Sequence, residues 1–210
     1  IITSHMDKAV PLFQGWLGSV LVDTLLNPIT ISLHLLFALI IVMLLLFISQ
    51  ESYYMEHPES EVKSIYPDDM KKYFLLMALV LFVEIVLGTE IRGGLEMIRK
   101  ENPMVESQFL LKMLGPFKYA HSILGFFITF LSIYIWYKLV KKSHKPSVLM
   151  VQTSTGVVLL ILCQIVLGEI LVFFKVIPLI QLFHLWIASW ILGLVSIQYV
   201  AWERSVIFYE

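Results

Sequence analysis

The sequence predicts an all-α integral membrane protein, an antiparallel transmembrane four-helix bundle joined to part of a second, pseudo-symmetric bundle. Three observations carry this prediction. Of the 210 residues, 59% are hydrophobic and 15% charged, and the mean hydropathy is +0.84; soluble domains hold about 45–50% apolar and about 25% charged residues. Several stretches run roughly 20 residues almost without charge, the length an α-helix needs to cross a bilayer. Finally, FQGWLGSVLVDTLLNPITISLHLLFALI (13–40) is echoed without a gap by CQIVLGEILVFFKVIPLIQLFHLWIASW (163–190). Gln14 falls on Gln164, Gly18 on Gly168, Pro28 on Pro178, His34 on His184 and Ala38 on Ala188.

Lipid offers the backbone no hydrogen-bond partners, so each span is a helix. The chain opens on a partial helix over about 9–26, whose apolar run Ala9–Val22 is short for a span and ends at Asp23. It reads as the remainder of a helix in a longer protein. Full spans follow at about 29–49, 73–91, 117–140, 148–174 and 178–202. The division is therefore 1–50, the remnant of an N-terminal bundle; 51–72, a polar linker; and 73–202, a complete four-helix bundle. The segment 92–116 is mixed and is expected to hold a short interfacial helix.

Orientation follows from charge. Lys138, Lys141, Lys142 and Lys145 make the short loop after Trp136 basic, which places it in the cytoplasm by the positive-inside rule. Counting spans puts the linker and the C-terminus on the same side, and 92–116 and the turn near 175–178 outside. Lys71 and Lys72 agree with this; Arg92, Arg99, Lys100 and Lys112 weigh the other way. The net charge of −1 gives no reason to invoke nucleic acid. Cys163 is the single cysteine, so there is neither an intrachain disulfide nor a CxxC site.

With this orientation, His34, His121 and His184 each lie one to two turns into a helix that enters from outside. At 1.5 Å rise per residue they share one shallow depth. His5, His57 and His144 fall in polar segments or at the terminus and read as solvated residues. A further echo, Glu84–Gly88 (EIVLG) against Gln164–Gly168 (QIVLG), defines a unit. In it a helix ends in [Q/E]xxLG, turns outside, and returns with an early histidine.

A lone imidazole in lipid is most simply an interhelical hydrogen-bonding group, contributing roughly 1 kcal/mol. Three at one depth on repeated units point instead to a site, since intramembrane ionisable groups are functional candidates by default. Two neutral imidazoles facing each other across a bundle can hold a metal macrocycle, and bis-His haem leaves no open coordination position. Zinc or copper would want three or four close ligands, and no such cluster is visible. Haem propionates need cations near the water boundary, and Arg92, Lys118 and Lys175 lie at outer helix ends; ordinary snorkelling explains the same placement. His121 and His184, on the two returning helices of 73–202, form the expected pair. Gly18, Gly88, Gly156 and Gly168 are read as close helix contacts, and Phe126, Phe127, Trp186 and Trp190 as packing. Glu84 and Glu169 are expected to face the interior or the outer water layer.

The motifs QGWLGSVLV…NP…HLLFALIIV, EIVLGTEIRGGLE with YAHSILGFF, and QIVLGEILV…IP…HLWIA resemble the haem A synthases of respiratory oxidase assembly. The likeness covers essentially the whole chain, as the last six helices of an eight-helix protein of the bacterial cytoplasmic membrane. It implies oxidation of a methyl group of haem O to a formyl group, giving haem A. It further implies that His121 and His184 ligate a haem B, and that His34 is one of two histidines, catalytic and iron-binding, at the substrate haem. The other would precede residue 1. Lys118 stands where the family has Glu before its histidine, and Ser122 where an Arg often follows. The implied partners are haem O, the lipid bilayer, a haem O synthase and oxidase assembly factors, with self-association open. Two alternatives stay in view: a non-catalytic b-type cytochrome relaying electrons, and a haem-free membrane assembly factor.

Overall fold

The computed structural model describes residues 28–57, 69–102, 104–105, 109, 112–143, 146–173 and 177–206. The expected partial helix at 9–26, with Gly18, and His5, His144 and Lys175 lie outside these residues, as do 58–68 of the linker. Among the described residues there are five long helices: α1 (Pro28–Glu56), α2 (Met70–Glu101), α3 (Phe117–Trp136, running on into a π-helical turn, Tyr137–Lys142), α4 (Val148–Phe173) and α5 (Pro178–Val206). Each is long and apolar enough to cross a membrane. The chain is an all-α, multi-pass membrane protein.

Local sequence explains the helix starts. Pro28 and Pro178 open α1 and α5, at the position where a missing N–H costs nothing. Gly115 takes φ 64°, a left-handed backbone that glycine adopts without a Cβ penalty, and turns the chain into Pro116 and α3. Two helices outrun their expected ends. α1 continues through Gln50–Glu56, into what reads as linker. α2 continues through Arg92–Glu101, the first part of the mixed segment 92–116, and Phe109, Lys112 and Met113 further along it are also helical. The cause in α2 is tertiary: Leu95 is buried against Ile91, Ile98 and Leu114, and Arg99 and Lys100 in the last turn suit the negative end of the helix dipole. With 32 residues, α2 is about 48 Å long, so its outer turns rise past a hydrocarbon layer of about 30 Å.

Helices α2 to α5 close a ring: α2 packs on α3, α3 on α4, α4 on α5, and α5 back on α2. Helix α1 lies outside the ring against α5 and α2. The buried positions of α2 begin Met70, Phe74, Met77, Leu81, alternating steps of four and three, which is the seam of an up-and-down bundle. This half of the bundle is tightly packed: Phe74 and Met77 are 1% exposed and Leu139 and Met150 fully buried. Within it Gln198 donates to Ser154 Oγ at 3.3 Å and Trp136 to Thr155 Oγ1 at 3.1 Å.

Ion pairs gather at one end of the ring. Lys138 Nζ lies 3.1 Å from Asp69, Lys71 lies 4.0 Å from Glu203, and Arg204 pairs with Glu51. These contacts tie α1, α2, α3 and α5 together where the basic loop begins. Burial pushes the Asp69 carboxyl up, but the hydrogen bond and charge of Lys138, the charge of Lys72 and the Tyr73 hydroxyl together hold it below its usual value of 3.8. A depressed carboxylate adds stability above its unfolded pKa and loses it as pH falls through the folded one. Unfolding in detergent should therefore be insensitive to this pair from pH 7 to 5 and weaken below about pH 4. Asp69→Asn should remove that acid-side loss, worth about 1 kcal/mol or less for a partly exposed pair. An unchanged acid limb in the variant would exclude the pair as its source.

Candidate functional site

Burial changes along the bundle. Among the described residues, no side chain of α3 before Ile128, of α4 after Ile161 or of α5 before Ile191 is buried. Helix α2 keeps Ile85, Thr89 and Leu95 buried at that end, while α3, α4 and α5 are open there, and the histidines stand among them. His121 lies in the first two turns of α3 and His184 in the first two turns of α5. The ring brings them together, with ring centroids 6.3 Å apart and planes at 62°.

The repeated [Q/E]xxLG motif supplies the floor for each ring. A Cβ on Gly88 would lie 3.3 Å from His121 Cε1, and one on Gly168 3.7 Å from His184 Cε1. The glycines thus let each imidazole lie against the backbone of the preceding helix, a close contact made with a ring rather than with another helix backbone. Gly156 meets the other expectation, facing Leu194 of α5 at 3.4 Å.

The first residue of the motif also serves the histidine, differently in each half. Glu84 on α2 puts Oε1 3.0 Å from His121 Nδ1, and a Cβ on Gly125, one turn on from His121, would meet that same oxygen at 3.2 Å. Gln164 on α4 donates instead to the backbone carbonyl of His184, at 2.6 Å. Neither Nδ1 is in line with a hydrogen-bond acceptor; the Glu84 contact lies off the N–H axis, and both nitrogens are buried. Buried polar atoms without partners are rare enough to need a reason.

The remaining candidates divide. Contacts between Gly125 and Glu84, Gly88 and His121, and Gly94 and Leu114 set the antiparallel register of α2 and the segment leading into α3. That register puts Arg92 and Lys118 at one height, one turn outside the histidines. Arg92 is exposed and Lys118 half-buried, its ammonium 4.8 Å over the Tyr119 ring. His34 is exposed on α1, the helix outside the ring. Glu84 is largely interior, whereas Glu169 is exposed. Phe126, Phe127, Trp186 and Trp190 are exposed on the bundle's outer faces, as lipid-facing rings would be. His57 stacks on Tyr53, centroids 4.7 Å apart, away from the site. Among the described residues, no three His, Cys, Asp or Glu side chains converge.

Two histidines on different helices of the ring thus stand together, each floored by the glycine of a repeated motif. The COX15-CtaA family, cytochrome oxidase assembly proteins, matches residues 8–196. The chain belongs to this family. The resemblance to the haem A synthases read from the repeated motifs therefore holds. As a family member, the chain is a membrane protein of cytochrome oxidase assembly. It matches no curated protein and no solved structure at a significant level.

The family implies haem, and the pair can be tested against it. A metal–imidazole bond is about 2 Å, so two imidazoles that share one metal between them stand roughly 6 Å apart from ring centre to ring centre. The observed 6.3 Å meets this. The ring planes stand at 62°, and two imidazoles so spaced could hold one metal between them. Partly buried Leu124, Leu185 and Ile187 stand within one turn of the two histidines. The residues present fit.

Proposed function

We propose that this chain is a haem A synthase, which oxidises a methyl group of haem O to a formyl group and carries haem B between His121 and His184. The separation of the two rings, in the part of the bundle where no facing side chain of α3, α4 or α5 is buried, is the observation that carries this reading. When bound, such a bis-His haem B supplies one-electron transfer.

The rest is work for the chain's own side chains. His121 has Nδ1 against Glu84, so Nε2 is the nitrogen left for iron. Gly88 and Gly168 keep both rings upright against α2 and α4. Arg92 and Lys118, at the rim, are the cations that would meet propionates, together with Lys175. His34 belongs to the substrate haem on α1, at the outer face of a bacterial cytoplasmic membrane. Haem O synthase and oxidase assembly factors are the expected partners.

The test is to express the chain with a haem O synthase and extract the haems. Haem A is expected to accumulate, and His34→Ala to stop it. Haem O that persists beside a low-spin haem B spectrum would make the chain an electron-relaying cytochrome. A purified protein without a Soret band would leave a haem-free assembly factor.

A further inference from the structure

The two halves of the ring repeat each other in sequence, yet their histidines are held differently. His121 meets a carboxylate at its ring nitrogen, 3.0 Å from Glu84 Oε1. His184 is held through its main chain, by Gln164 at 2.6 Å, and its Nδ1 has no partner. Gln164 and Glu84 occupy the same motif position, so one substitution within a duplicated unit separates the two sites. Space for the carboxylate comes from α3, because Gly125 leaves its oxygen 3.2 Å from where a Cβ would stand; the equivalent place on α5 is Ala188.

We propose that Glu84 is a positioning residue that makes the two axial imidazoles unequal. Its carboxyl group engages Nδ1 of His121, fixes that ring's tautomer with Nε2 free for the metal, and makes His121 the stronger electron donor of the pair. A carboxylate behind a ligating histidine orients the ring and raises its basicity. The contact lies off the N–H axis here, and contacts of this kind tighten when a site is loaded. His184 has no such group and is the weaker ligand. The stronger donor favours ferric over ferrous iron, so the asymmetry sets the potential at which the site passes electrons. This inference rests on the assignment of His121 and His184 as the haem pair.

Glu84→Gln and Glu84→Ala separate positioning from packing. In haem-loaded protein, Glu84→Gln should retain haem while raising its midpoint potential and altering the g-anisotropy of the ferric low-spin signal. Glu84→Ala, which also releases the ring, should bind haem on the order of 10-fold more weakly or worse, the scale on which metal sites lose affinity when an outer-shell partner is removed. Gln164→Leu, which touches only the main chain of His184, should move the potential less than Glu84→Gln. In haem-free protein, ¹⁵N spectra should show His121 as the Nδ1–H tautomer in the parent and a mixture in Glu84→Ala. If haem binds as in the parent and neither potential nor g-values respond to Glu84→Gln, the proposal is wrong and the haem assignment stands. If the parent binds no haem, the assignment itself falls, and the His121 tautomer still decides whether Glu84 orients the ring.

Discussion

Replacing His121 or His184 by alanine should strip the bundle of low-spin haem, and His34→Ala should leave it in place. The magnitude follows from what is removed. Losing an outer-shell partner costs roughly 10–100-fold in affinity; losing a ligand removes a bond to the metal and exceeds that. Either variant should emerge without the low-spin spectrum, not with a diminished one. The fold should survive, because the closed half of the bundle, with Phe74, Met77, Leu139 and Met150 at its centre, lies apart from the histidines. Both variants are therefore expected to insert and to elute as the parent does, which separates loss of ligation from loss of structure. Equal loss of haem in His34→Ala would mean that the 6.3 Å pairing is not the pair that ligates.

The second large effect belongs to a residue with no side chain. A Cβ on Gly88 stands 3.3 Å from His121 Cε1, tighter than ordinary van der Waals contact, so alanine there asks the ring to yield by a few tenths of an ångström. Gly88→Leu adds further carbons along that direction, and either α2 and α3 separate or the imidazole swings off its axis. Overpacking of this kind costs about 1–3 kcal/mol, roughly tenfold in binding for each 1.4 kcal/mol, and it falls on the ligand's position. Gly168→Ala is the control. Its Cβ would sit 3.7 Å from His184 Cε1, an ordinary contact, and alanine in a helix interior is favoured over glycine by up to about 1 kcal/mol in water. Haem retention measured by the Soret-to-protein absorbance ratio should rank parent and Gly168→Ala together, Gly88→Ala below them, and Gly88→Leu lowest. Retention in Gly88→Leu equal to the parent would show that the ring does not rest on that glycine.

Much of this protein is legible in one dimension because the bilayer narrows the choices. A stretch of about 20 apolar residues has to be a helix, for no other open structure satisfies its backbone in lipid. Five spans, their antiparallel order and the shared depth of His34, His121 and His184 follow from length and rise alone. The repeat adds the pairing of [Q/E]xxLG with a returning histidine, and the family match confirms what those motifs resemble. Helix ends are less legible. Gln50–Glu56 and Arg92–Glu101 are polar enough to read as loop, and the latter contains Gly93 and Gly94. Their helicity depends on neighbours such as Leu114, distant in sequence, that no local pattern reports.

The site divides in the same way. The helical membrane class, the repeated unit and which two histidines belong to one ring of helices can be read from single segments, since period and hydropathy are local properties. Packing in three dimensions was needed to show that the motif glycines support imidazole rings, that Glu84 stands behind one histidine while Gln164 holds the other by its main chain, and that α3, α4 and α5 bury no side chain at the histidine end. Those facts depend on the register between antiparallel helices. A shift of one turn, about 5.4 Å, would break every one of these contacts and leave the sequence pattern untouched.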